Sequence, residues 1–161
     1  MTAIPGVIVS DVKRLPDARG SFAEIARESA YPETFVQLNH SHSRGRVLRG
    51  LHFHREQADL WYVVRGRAQV ALVDLRDGGR HRVETLVLDG SQPQTLYIPP
   101  GVAHGYLALT DVDLFYLVTR EYDETDEFGV AWDDPGLAIP WELSDPVLSE
   151  RDRSNPPATG G

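Results

Sequence analysis

Five of the six histidines fall in three places: His40 with His42, His52 with His54, and His104 at the end of Ile98-Pro-Pro-Gly-Val-Ala-His104. Residues i and i+2 of a strand share a face, so His52 and His54 can point together into one cavity. An imidazole titrates near neutrality, which suits it to abstract and return protons or to bind a metal. It equally suits a polar core position closed by a hydrogen bond. Gln37 and Asn39 share a strand face by the same spacing and predict a common pocket wall. Tyr116, in Asp113-Leu-Phe-Tyr116, reads by itself as a half-buried core aromatic of a strand. Ser149-x-x-Asp152 reads locally as a helix capping box.

The elements that must position these residues are strands. Fourteen glycines and 11 prolines punctuate short runs of alternating apolar residues. The predicted strands are 6–10, 21–25, 34–41, 46–54, 60–64, 68–75, 84–88, 94–98, 104–109 and 114–120. Ten strands in one domain predict an all-β sandwich or closed barrel. Turns are predicted at Arg65-Gly66, Asp77-Gly78-Gly79 and Asp89-Gly90, where glycine supplies a positive φ. The 161 residues suit a single domain, read as residues 1–154, followed by a small polar tail, 155–161, expected to be disordered.

Sixteen Lys plus Arg against 24 Asp plus Glu give a net charge of −8, which argues against a general nucleic-acid binder and requires local arginines for any anionic ligand. The absence of cysteine excludes thiol nucleophiles, disulfide scaffolds and cysteine-ligated metals, and fits a cytoplasmic protein. No window approaches the ~18 apolar residues of a membrane span, and Met1-Thr-Ala-Ile-Pro-Gly6 does not read as a signal segment.

His52-x-His54, Asp59, Gly66 and then Pro100-Gly101-x-x-His104 resemble the two motifs of the cupin superfamily. That resemblance implies a double-stranded β-helix, or jelly-roll, barrel, with His52, His54, Asp59 and His104 at metal-ligand positions. Such a set suits iron, manganese, nickel or zinc. A longer and more specific match runs through Asp17-Ala-Arg-Gly20, Phe35-Val-Gln-Leu-Asn-His-Ser41, Val47-Leu-Arg-Gly-Leu-His-Phe53, Val73-Asp-Leu-Arg76, Ile98 to Gly105, Trp132-Asp-Asp-Pro135 and Leu148-Ser-Glu-Arg-Asp152. These strings resemble the dTDP-4-dehydrorhamnose 3,5-epimerase family. The resemblance implies a cupin-type barrel with a short helical C-terminal segment, no cofactor, and usually a homodimer, with an N-terminal strand completing the neighbour's sheet. It also implies action on a dTDP-linked 4-keto-6-deoxy sugar.

In that chemistry a base removes the hydrogen next to a ketone, giving an enolate, and an acid returns a proton on the opposite face. The resemblance makes His52 the base, Asp152 the carboxylate that orients it, and Tyr116 the acid. It puts Arg19, Arg49 and Arg151 on the diphosphate, a task suited to the guanidinium fork. Glu24, Gln37, Asn39, His104 and Glu127 are implied around nucleotide and sugar. As local features, Arg19 and Glu127 equally read as surface charges. Trp61, Tyr62, Trp132 and Trp141 offer dimer contacts or a stacking surface for thymine.

This sequence departs from the family at two positions. Typical members carry glutamine where His54 stands and, after a short deletion, lysine where Asp59 stands; the lysine serves the enolate oxygen. Exchanging a cation for a carboxylate opposes charge development, and one lost oxyanion donor costs about 2.7–4 kcal/mol. Arg49 serving the oxyanion, Asp59 turned to solvent, or a metal on the histidines and Asp59 would each offset it. Three functional classes therefore fit: sugar-nucleotide epimerase, metal-dependent cupin oxygenase or isomerase, and non-catalytic sugar-nucleotide binder.

Overall fold

The computed structural model describes residues 2–78 and 81–158. Its strands are β1 (Ile8–Asp11), β2 (Arg14–Asp17), β3 (Gly20–Ala23), β4 (Gln37–Ser43), β5 (Leu48–Phe53), β6 (Asp59–Arg65), β7 (Arg67–Asp74), β8 (Arg82–Asp89), β9 (Gln94–Ile98), β10 (Val102–Ala108), β11 (Val112–Val118) and β12 (Phe128–Gly129), and one helix, α1 (Glu150–Arg153), follows them. Two five-stranded antiparallel sheets face each other, in the orders β1-β9-β6-β11-β4 and β12-β5-β10-β7-β8, while β2 and β3 form a separate hairpin. This is the expected jelly roll with a short C-terminal helix.

Strand alternation builds the layers. On β7, Val70 and Leu72 join Leu88, Leu96, Ile98 and Leu114 between the sheets. Ala71 and Val73 face the other way, onto Leu51, Ala103, Val130 and Leu137. Both faces of β7 are thus covered, and it is buried from Ala68 to Asp74. Truncating Leu72, which is fully buried, would cost about 2–5 kcal/mol. A third cluster, Ala58, Leu60 and Tyr97, lies under Tyr31 and Phe35 of the segment before β4.

Each of the ten predicted strands has a counterpart, with ends displaced by a few residues. The strand beginning at His104 in the prediction starts at Val102, immediately after Gly101 closes the Pro-Pro-Gly turn at φ +79°. The hairpin strand β2 escapes prediction because its four residues are all exposed and include Pro16, leaving no alternation to read. Gly66 has the expected positive φ, +88°, and a Cβ there would lie 1.9 Å from the Asp111 carbonyl oxygen. Gly90 corrects the prediction: its φ is not positive, and glycine is needed because a Cβ would stand 2.8 Å from the Val64 carbonyl. Gly78 has φ +52°, and Gly79 lies outside the described residues.

The start of the expected disordered tail is tied to the body. Ala131 donates to the Pro156 carbonyl at 2.7 Å, and the Ala158 amide donates to Asp134 at 2.6 Å. Residues 159–161 lie outside the described residues. β1 pairs with β9 of its own chain, at the edge of its sheet. No helix among the described residues is long and apolar enough to cross a membrane.

Candidate active site

A cavity of about 460 Å³ opens between the sheets, within the range of small-molecule sites. One sheet contributes Gln37 and Asn39 from β4, Asp59 and Trp61 from β6 and Tyr116 from β11; the other contributes Arg49 and His52 from β5 and His104 and Tyr106 from β10. Glu127, Arg151 and Asp152 close one side from the C-terminal segment.

His52 sits on β5, paired with His104 on one side and Gly129 on the other. Its Nε2 meets Asp152 Oδ1 at 2.6 Å, and Asp152 Oδ2 accepts the Gly50 amide at 3.2 Å. Asp152 is 5% exposed. Burial works to raise its pKa but is outweighed by the hydrogen bond and charge of His52, the Gly50 amide and Ser149, so the carboxyl titrates below its ordinary value. The capping reading of Asp152 holds as well, through a different atom: its backbone N–H donates to Ser149 Oγ at 3.0 Å. One residue thus fixes the helix start and the histidine together.

Tyr116 faces the cavity from the opposite sheet, half-buried. Burial, then the charges of Asp59 and Glu127, raise its pKa above the phenol value, against a smaller opposing effect of Arg49. It is therefore a protonated hydroxyl at neutral pH, able to donate.

The four cupin ligand positions separate into two groups. The ligand atoms of His54, Asp59 and His104 all lie within 4.8 Å of one another, while His52 is engaged by Asp152. His104 donates Nδ1–H to the Val102 carbonyl at 3.0 Å, and His54 donates Nδ1–H to the Asp126 carbonyl at 2.7 Å. Asp59 is 4% exposed and accepts from Gln57 Nε2 at 2.8 Å and from Trp61 Nε1 at 3.1 Å. Asp59 is therefore not turned to solvent. Burial pushes the His104 pKa down to about 4, against the pull of Asp59 and with further lowering from His54 and His52.

Arg49 is aimed by Ser43 Oγ at 2.8 Å and the His42 carbonyl at 3.1 Å. Arg151 donates to Glu127 at 2.8 Å, a pair that is partly shielded and lines the cavity. Gln37 donates to Asn39 at 2.8 Å, as their shared face predicts. Arg19 and Glu24 stand outside the cavity of this chain. Arg19 pairs with Asp17 at 2.6 Å with its side chain 90% exposed, and Glu24 pairs with Arg27 at 2.8 Å. Both belong to the β2–β3 hairpin region, whose strands pair only with each other and which is tied to the body by Arg14, donating to the Gly90 carbonyl at 2.7 Å.

Trp61 is buried and binds Asp59, whereas Trp141 donates to the Trp132 carbonyl, away from the cavity. Sequence reasoning missed Tyr106, whose hydroxyl meets Ser41 and Ser43 inside the cavity, and Asp126, whose carboxylate receives the amides of Arg55, Glu56 and Gln57. Alternation on β10 places Tyr106 on the face of His104; nothing local marks Asp126.

A family model described as dTDP-4-dehydrorhamnose 3,5-epimerase matches residues 1–159. The chain belongs to the dTDP-4-dehydrorhamnose 3,5-epimerase family. The dTDP-4-dehydrorhamnose 3,5-epimerase of Methanothermobacter thermautotrophicus is 37% identical over 166 residues, covering 95% of this chain and 90% of its own. The spore coat polysaccharide biosynthesis protein SpsL of Bacillus subtilis is 39% identical over 145 residues, covering 86% of this chain and 96% of its own. Among solved structures, the dTDP-6-deoxy-D-glucose-3,5-epimerase of Legionella pneumophila, in complex with dTDP-4-keto-L-rhamnose, superposes with a TM-score of 0.89 at 32% identity, covering 98% of this chain and 90% of its own. This family member is a sugar-nucleotide epimerase, an isomerase, rather than an oxygenase or a non-catalytic binder.

Proposed function

We propose that the cavity holds a dTDP-linked 4-keto-6-deoxy hexose and that the enzyme inverts C3, C5 or both through an enolate. The observation that carries this reading is the placement of His52, held by buried Asp152, on one sheet and of Tyr116 on the other. A base and an acid from opposite walls meet the requirement of inversion that a proton leave one face and arrive on the other. His52 Nε2 is committed to Asp152, so Nδ1 is the nitrogen that takes the proton; Asp152 is a positioning residue that steadies the imidazolium formed. Tyr116 supplies the returning proton. Arg49 and Arg151 receive the diphosphate, and Gln37, Asn39, Glu127 and His104 line the space left for nucleotide and sugar.

A homodimer in the cytoplasm is part of the same proposal. The β2–β3 hairpin exposes Leu15 and Phe22, 49% and 66%, beside the free-standing Arg19 and Glu24 pairs. Docked on a second copy, it would bury that apolar surface and carry Arg19 and Glu24 toward the partner's cavity.

The test is incubation with dTDP-4-keto-6-deoxyglucose in deuterated water, following the C3 and C5 hydrogens by NMR. Deuterium entering at either centre, abolished in His52→Ala, is the expected result. Exchange at the full rate in His52→Ala would overturn the assignment of the base.

A further inference from the structure

The geometry points to a second centre in the cavity: we propose that His54, Asp59 and His104 bind one divalent transition-metal cation, which polarises the substrate's ketone oxygen while His52 remains free as the base. The catalytic half of this rests on the epimerase reading above; the binding half does not.

Tautomers carry the argument. A backbone carbonyl accepts and never donates, so Nδ1 of His54 and of His104, each facing one, must hold the ring proton. Nε2 of each neutral ring is then a bare lone pair. A nitrogen of each ring and a carboxylate oxygen of Asp59 lie within 4.8 Å of one another, and no side-chain donor among the described residues bonds either Nε2. Asp59 and His104 approach at 3.7 Å, beyond hydrogen-bond length. Around one ion with bonds of about 2.0–2.2 Å, adjacent ligand atoms stand roughly 3–3.5 Å apart, close to that separation. Three acceptors gathered without a donor repel one another, and a cation removes the repulsion.

The surroundings are those of a ligand set. Each imidazole is oriented through its other nitrogen by a backbone carbonyl, and Asp59 is held by Gln57 and Trp61. Two nitrogens and one oxygen favour iron(II), cobalt(II), nickel(II), manganese(II) or zinc(II) over magnesium or calcium. Three protein ligands beside an open cavity leave room for a substrate oxygen. No redox step is involved: the C–H bond breaks, its electron pair forms the C=C bond, the carbonyl π pair moves to oxygen beside the cation, and His52 carries the proton. His52 is outside the set, so base and electrophile do not compete for one imidazole.

The experiment uses chelator-treated protein without a polyhistidine tag, titrated with cobalt(II) and read by visible absorption. One equivalent per chain is expected, weakened by more than about a hundredfold in His54→Gln and in Asp59→Asn, since loss of an orienting partner alone costs about 10–100-fold. Asp152→Asn should bind cobalt as the native protein does. No uptake, or uptake unchanged in both ligand variants, overturns the site; if Asp59→Asn does not fold, His54→Gln decides. Deuterium exchange in the dTDP-sugar at equal rates with and without cobalt overturns the electrophilic role and leaves the epimerase standing. Exchange in neither form counts against the epimerase reading and the electrophilic role, while the cobalt titration still decides whether the site binds metal.

Discussion

Replacing Asp152 with Asn tests the base and its support together. The two carboxylate oxygens accept from His52 Nε2 at 2.6 Å and from the Gly50 amide at 3.2 Å. A carboxamide offers one acceptor and one donor. With its oxygen on His52, its NH₂ faces the Gly50 N–H, donor against donor, and the imidazolium loses a charge-assisted bond of about 1.5–3 kcal/mol. That corresponds to roughly ten- to a hundredfold in kcat. With its NH₂ on His52, Nε2 must accept, the ring proton moves to Nδ1, and the nitrogen left for proton abstraction is occupied. The equivalent tautomer error in a Ser-His-Asp triad costs about 10⁴. The expected kcat loss is therefore about 10²–10⁴, with KM within about threefold, because Asp152 lies beneath His52 at 5% exposure. The assay is stopped-flow or NMR-followed loss of the substrate C–H signal, with circular dichroism to check that the Ser149 cap, made by the backbone N–H, survives. A kcat within threefold of the native value would refute the pairing as a device of catalysis.

Tyr116→Phe should still wash deuterium into the substrate but yield inverted product about 10²–10⁴-fold more slowly; inversion at the native rate would remove Tyr116 from its role. Gly50→Ala should destabilise the fold by roughly 1–3 kcal/mol or more, since at φ +122° its Cβ would lie 2.7 Å from Gly105 Cα, and an unchanged thermal midpoint would contradict this. Asp74 is buried and its pKa lies below the ordinary value, through its hydrogen bonds to Arg76 first, against burial. The unfolded carboxyl then holds more protons than the native one at acid pH, so the pair's stabilisation is full above about pH 4 and lost as pH falls through the native pKa. Urea midpoints from pH 6 to 3 should fall on the acid side, and Asp74→Asn should flatten that fall; an acid limb as steep as the native one would refute it.

The legible part of the site was what strand periodicity and motif spacing encode. Gln37 and Asn39 do share a wall, and His52, Tyr116 and His104 all face the cavity. The separation of His52 from His54 was not legible, because β5 ends at Phe53 and His54 lies beyond it. Its orientation comes from the Asp126 carbonyl, 72 residues away in sequence. The capping reading of Asp152 and the role that the resemblance implies do not compete, because a backbone N–H and a carboxylate are different atoms and satisfy both. Arg19 and Glu24 lie in a region of the fold whose packing against the sheets no pattern within one chain reveals.

Inversion places a demand on strand register. Tyr116 pairs with Asn39 on β4 and Trp61 on β6, and all three face the cavity. Phe115, one residue earlier, points outward at 40% exposure against His40. Because side chains alternate with period two, a one-residue slip of β11 would send the phenol to solvent and bring in a ring with no proton to give. The register shift between Asp113 and Leu114 skips Val64 on β6, which is 39% exposed, while the ladder of β11 to β4 runs unbroken through Tyr116 and Asn39. Tyr116, the proposed acid, is thus placed by the register of β11 between β4 and β6, while His52, the proposed base on the other sheet, is held by a residue 100 positions later in the chain. A protein that only bound a sugar nucleotide would require neither constraint; one that carries a proton from face to face requires both.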